Sequence, residues 1–61
     1  MEPKIGDNVK ILTGDFKDRI GVISAIHRID GFNELRYTVE FNNDEPSIFT
    51  YRSNFIIVGK E

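Results

Sequence analysis

Cysteine and tryptophan are both missing from the chain, and histidine occurs once. Without thiols there is no disulfide to staple so short a chain and no thiolate to hold a metal, so stability rests on packing alone. A Cys-His nucleophile pair is excluded for the same reason. A Ser-His-Asp set would have to join His27 to Ser24, Ser47 or Ser53 without an elbow motif to hold the serine. His27 is read instead as an ordinary strand residue. Neither zinc-ligand spacing nor a phosphate-cradling glycine loop is visible, and Asp7, Asp15 and Asp18 read as solvated turn acids. These absences together argue against an enzyme and against any cofactor or metal. No apolar run approaches the length of a membrane span, and Met1-Glu2-Pro3-Lys4 lacks the basic and apolar regions of a secretion signal, which gives the expectation of a cytoplasmic protein.

An excess of positive charge is also lacking: the formal net charge is -2, which weakens the case for a sequence-independent nucleic-acid binder. Residues 1–27 balance Lys4, Lys10, Lys17 and Arg19 against Glu2, Asp7, Asp15 and Asp18, whereas residues 28–45 set Arg28 and Arg36 against Asp30, Glu34, Glu40, Asp44 and Glu45. The acidic part is therefore the middle hairpin. With 61 residues the chain reads as one domain, 1–61, near the lower size limit for folding without a staple.

What is present is a series of short β-prone runs. Val9 and Ile11 alternate with Asn8 and Lys10, predicting a strand over Asn8–Leu12 with Val9 and Ile11 inward and Lys10 in solvent. Thr13-Gly14-Asp15 breaks the run, with Gly14 placed for a positive φ and Asp15 for bonds to amides just beyond it. Phe16 sits at the loop tip, where it either folds back over the core or stays partly exposed as a contact. A second strand spans Asp18–Ile29. A strict period of two cannot bury Ile20, Ile23 and Ile26 together, so a bulge is expected near Gly21 or Ser24-Ala25. Gly21 marks either that bulge or a close backbone approach.

Asp30-Gly31 signals a turn. Leu35, Tyr37, Val39 and Phe41 then alternate cleanly with polar residues, and Asn42–Pro46 stops that strand. Ser47–Tyr51 follows, with Ile48 and Thr50 on one face and Phe49 and Tyr51 on the other. Arg52-Ser53-Asn54 suits a single 3₁₀ turn before a last strand, Phe55–Val58. Pro3 discourages pairing in the lead-in, and Ile5 is expected to plug one end of the fold. Five closely spaced strands without a helical period predict an all-β, strongly bent antiparallel barrel.

Gly6-Asp7 before the first strand, Gly14 with Phe16-Lys17 in the loop, and Gly21 followed by Ile23 resemble the KOW motif of SH3-like barrels in ribosomal proteins and NusG-type transcription factors. Asp18 departs from that pattern, since many ribosomal examples carry a glycine there. The ending resembles the Pro-Ser-Asn-Tyr-Val segment that closes many SH3 domains. That resemblance implies Ile56 and Val58 inward and Phe55 outward, while the run itself is apolar on both faces and leaves the register open. Gly6-Asp7 with Val9, Gly21, Tyr37, Val39, Phe41 and Asn54-Phe55 also resemble the stromal photosystem I subunit IV, a docking and assembly subunit. The outline is similar to plasmid-type dihydrofolate reductase, but Ile48-Phe49-Thr50-Tyr51 lacks that enzyme's pore glutamine, and its activity is not carried over.

The expected function is a non-enzymatic module docking on a protein or ribonucleoprotein complex. The expected surface is Phe16, Lys17, Arg19, Tyr51, Arg52 and Phe55, in which exposed rings lie beside arginines. The alternatives are a small assembly subunit, or weak binding of RNA or single-stranded nucleic acid through Lys10, Lys17 and Arg19, with Phe16 and Tyr51 as rings on which bases stack, opposed by Asp7, Asp15 and Asp18 among those cations.

Overall fold

The structure is a computed structural model and describes residues 2–28, 31, 34–42 and 44–60. Five strands form one antiparallel sheet: β1 (Asp7–Ile11), β2 (Ile20–Arg28), β3 (Leu35–Glu40), β4 (Ile48–Tyr51) and β5 (Phe55–Lys60). Their spatial order is β4-β3-β2-β1-β5, so the last strand returns to pair with the first. The sheet curls into a half-barrel whose edges, β4 and β5, are joined by a 3₁₀ turn at Arg52–Asn54. This all-β architecture fits the SH3-like barrel expected above. The curl lets five short strands enclose a core of Val9, Ile11, Ile23, Tyr37, Val39 and Phe55, with Phe16, Ile26, Leu35, Phe41, Ile48 and Ile57 packed around it.

Two devices in β2 make the curl. The β2–β3 register shifts between Ile23 and Ala25, so Ser24 is the extra residue of a bulge. Ile23 pairs with Val39 on the inner face, and beyond the bulge Ile26 pairs with Tyr37 on the same face. That is how two residues of opposite parity reach one core. Ile20 remains outside, exposed opposite Lys10. Gly21 is the close approach rather than the bulge. A Cβ there would lie 2.5 Å from Val39 Cγ1, 2.7 Å from the Glu40 carbonyl oxygen and 3.0 Å from Phe41 Cδ1.

The connection from β1 to β2 is held by its backbone. The Lys17 amide donates to Gly14 O (3.2 Å), Arg19 to Phe16 O (2.9 Å), Asp18 to Ile11 O (2.7 Å) and Ile11 to Arg19 O (2.9 Å). Gly14 has φ 83° and Asp18 φ 70°. The left-handed backbone at Asp18 is one that favours glycine, and aspartate is among the few other residues that tolerate it. Asp15, expected to bond the amides beyond it, makes no side-chain hydrogen bond among the described residues.

The lead-in differs from expectation. Ile5 is exposed and Pro3 is buried. The Gly6 amide donates to Ile23 O at 2.9 Å, and buried Asp7 accepts from the Lys4 amide at 2.9 Å through Oδ2. This tight turn therefore points Ile5 away from the barrel.

The last strand settles in the register opposite to that of the SH3 ending. Phe55 is 1% exposed, and its ring meets Tyr37 edge-on at 5.1 Å, while Ile56 and Val58 are each 46% exposed. Phe55 pairs with Ile11 and Ile57 with Val9, both on the inner face of β1. With no tryptophan in the chain, Phe55 supplies the largest fully buried side chain among the described residues. The Asp30-Gly31 turn lies partly outside the described residues. Gly31 itself has φ 82°, as such a turn requires.

Candidate functional site

The residues expected to form one binding surface fall into separate groups. The first surrounds the loop tip. Phe16 folds back, half-buried, and stacks on Phe41 with centroids 4.7 Å apart and ring planes 7° from parallel. The Arg19 guanidinium lies 5.5 Å from the centre of the Phe41 ring and donates from Nη2 to Glu45 Oε1. This hydrogen bond is the main cause of the shifts on both partners, holding the Glu45 carboxyl below its ordinary value and raising Arg19. Lys10, half-buried, faces the exposed Asp18 at 3.9 Å. Thus two of the three cations expected to meet RNA already face carboxylates, and Lys17 has no ion pair among the described residues.

The second group lies at the junction of β4 with the 3₁₀ turn. Tyr51 is 39% exposed. Arg52 turns inward over the end of the barrel, its Nη1 donating to Phe55 O at 3.0 Å and its guanidinium 5.3 Å from the Phe55 ring centre. Phe55 itself must be removed from the expected surface, since its ring is core. The prediction followed the SH3-like register that β5 does not adopt. Among the described residues, no hydrogen bond, ion pair or ring contact joins Phe16, Lys17 and Arg19 to Tyr51 and Arg52.

The sheet pairing assembles a third group, which sets Tyr51 beside residues that sequence reasoning did not single out for binding. His27 pairs with Arg36, and Arg36 with Tyr51; Ala25 pairs with Thr38, and Thr38 with Phe49. Residues directly opposite share a face, so these form two adjacent rows on the outer side of β2, β3 and β4. Phe49 is 65% exposed and carries the Arg36 guanidinium 4.8 Å from its ring centre. Arg36 Nε is shut from solvent with no acceptor among the described residues. The alternation in Ser47–Tyr51 did put Phe49 and Tyr51 on one face. Which residues of β3 and β2 lie beside them depends on register, and the β2 bulge shifts that register.

The hollow lined by Glu40, Phe41, Asn42, Glu45 and Ser47 is about 220 Å³, below the roughly 300–1,000 Å³ of usual ligand pockets. Among the described residues, no group of three or more histidine, aspartate or glutamate side chains is placed to hold a metal. No helix among them is long and apolar enough to cross a membrane.

A comparison with curated proteins finds no match to the chain. Residues 5–28, which comprise the Gly6 turn, β1, the backbone-bonded loop and β2, match the family model described as the KOW motif.

Proposed function

We propose that the chain is a non-enzymatic binding module that docks on a protein or ribonucleoprotein complex of the transcription or translation machinery, in the cytoplasm. The carrying observation is the KOW motif over residues 5–28, a motif found in small domains of ribosomal and transcription-factor proteins that typically bind RNA or protein. The loop side, with Phe16, Lys17 and Arg19, is the first contact, and Tyr51 with Arg52 the second. Charge favours a protein or assembled particle over free RNA at the loop. Arg19 is engaged by Glu45 and Lys10 faces Asp18, so few cations remain for phosphates.

Co-sedimentation with purified ribosomes, and pull-down with purified RNA polymerase, test this reading. Wild-type protein is retained by one of the two, and Lys17→Glu combined with Tyr51→Ala reduces retention while leaving the amide spectrum dispersed. Failure of the wild type to associate with either particle would overturn it.

A further inference from the structure

We propose that the outer face of β3 and β4 is a stacking platform for single-stranded nucleic acid, taking two successive bases on Phe49 and Tyr51 and the phosphate between them on Arg36. The proposal assigns a surface distinct from the loop contact, shares Tyr51 with the second docking contact, and rests on the reading of the chain as a binding module.

Three observations converge on this face. First, Phe49 and Tyr51 lie two residues apart on an edge strand, so both rings stand on one side about 7 Å apart along the chain. They are 65% and 39% exposed. A fold this small gains stability from every ring it buries, yet these two stay outside while Phe55 and Tyr37 fill the core. Second, Arg36 stands across from Tyr51 with its guanidinium against one face of Phe49. Among the described residues its guanidinium has no hydrogen-bond or ion-pair partner, in contrast to those of Arg19 and Arg52, which already donate to Glu45 and Phe55 O.

Third, the charge on the face is complementary to an anion. The rows His27–Arg36–Tyr51 and Ala25–Thr38–Phe49 contain no carboxylate, although the chain as a whole is acidic. Glu40 shares the face at the far end of β3, about 13 Å along the strand from Arg36, and Glu34 just precedes the strand. These two acids bracket the platform and limit its footprint to two or three nucleotides. An acidic peptide would satisfy Arg36 but offers the rings no repeating planar partner. Nucleic acid supplies an anion and a flat ring in each unit, which is the combination that sheet-borne aromatics recognise.

Amide chemical-shift mapping with a five-nucleotide single-stranded RNA, repeated with the DNA of the same sequence, tests the platform. The expected shifts fall on His27, Arg36, Thr38, Phe49 and Tyr51. Phe49→Leu, which keeps an apolar side chain but cannot stack, and Tyr51→Ala each weaken binding by about tenfold. The log-log salt slope is about -0.7 to -1.4, as expected for one or two phosphates on a single strand. Several results would each overturn the proposal: no shifts at millimolar RNA, shifts confined to residues 13–19, or unchanged affinity in Phe49→Leu. A poly-glutamate peptide binding these residues more tightly than RNA would also do so, and would reassign the face to a protein partner. Retention on ribosomes or RNA polymerase with a silent β3–β4 face would sink this platform alone. RNA binding at the face without retention on either particle would sink only the docking assignment.

Discussion

Replacing Gly21 by alanine probes the close approach of β2 to β3. The added Cβ would stand 2.5 Å from Val39 Cγ1, 2.7 Å from Glu40 O and 3.0 Å from Phe41 Cδ1. A valine methyl and a phenylalanine ring can rotate away. The Glu40 carbonyl cannot, because Glu40 is paired with Val22 and its oxygen moves only if β3 separates from β2. Overpacking of this kind costs about 1–3 kcal/mol, against a total stability of about 3–9 kcal/mol for a chain of 61 residues. An unfolding entropy of about 2.1 cal/mol/K per residue gives about 130 cal/mol/K, so each kcal/mol moves Tm by about 8 °C. The substitution should therefore lower Tm by about 8–23 °C in thermal unfolding followed by circular dichroism.

The damage should also spread to the loop. Displacing Phe41 breaks its stack with Phe16 and moves the surface on which Arg19 rests, so the ring-current shifts of Phe16 should collapse. Gly59→Ala is the control in the same sheet, because its Cβ would meet only Asn8 Nδ2 at an ordinary 3.7 Å. Its Tm should stay the same or rise slightly. An unchanged Tm in Gly21→Ala would refute the argument, since it would mean that β2 and β3 are not held this closely.

Truncating Phe55 to alanine removes a fully buried ring and should cost about 3–5 kcal/mol, enough to unfold much of the population, whereas Ile56→Ala should change stability by less than about 1 kcal/mol; equal effects in urea titrations would contradict the β5 register. The Arg19–Glu45 contact predicts an acid-side effect. Because the pair holds Glu45 below its ordinary value, the stabilisation is fully present above about 4.3, the usual glutamate value, and is lost as pH falls through the lowered folded value. Glu45→Gln should therefore have a lower Tm than wild type at neutral pH in low salt, and the gap should close on acidification; a gap that persists at pH 3 would show that the charge is not the cause.

Much of this protein is legible along the chain. The alternation of Leu35, Tyr37, Val39 and Phe41 announces a strand before any partner is known, and Gly14 marks a left-handed loop position, whereas Gly21 signals a bulge or a close approach and only the paired strands show which. A 3₁₀ turn at Arg52–Asn54 follows from a short polar break between two apolar runs. The site was less legible. Phe55 lies in a segment that is apolar on both faces, and nothing local chooses between its registers.

The order and kind of the elements follow from local chemistry: side-chain period, turn residues, and the absence of any staple but packing. Only the assembled sheet could decide which face of each strand is inside. That choice is made between strands far apart in sequence, where Phe55 meets Tyr37 and Ile11, and where the single extra residue at Ser24 moves Ile26 into the core. The same pairing sets Arg36 beside Phe49 and Tyr51. Their contact depends on cross-strand register, and register is fixed by the total burial that the closed sheet achieves.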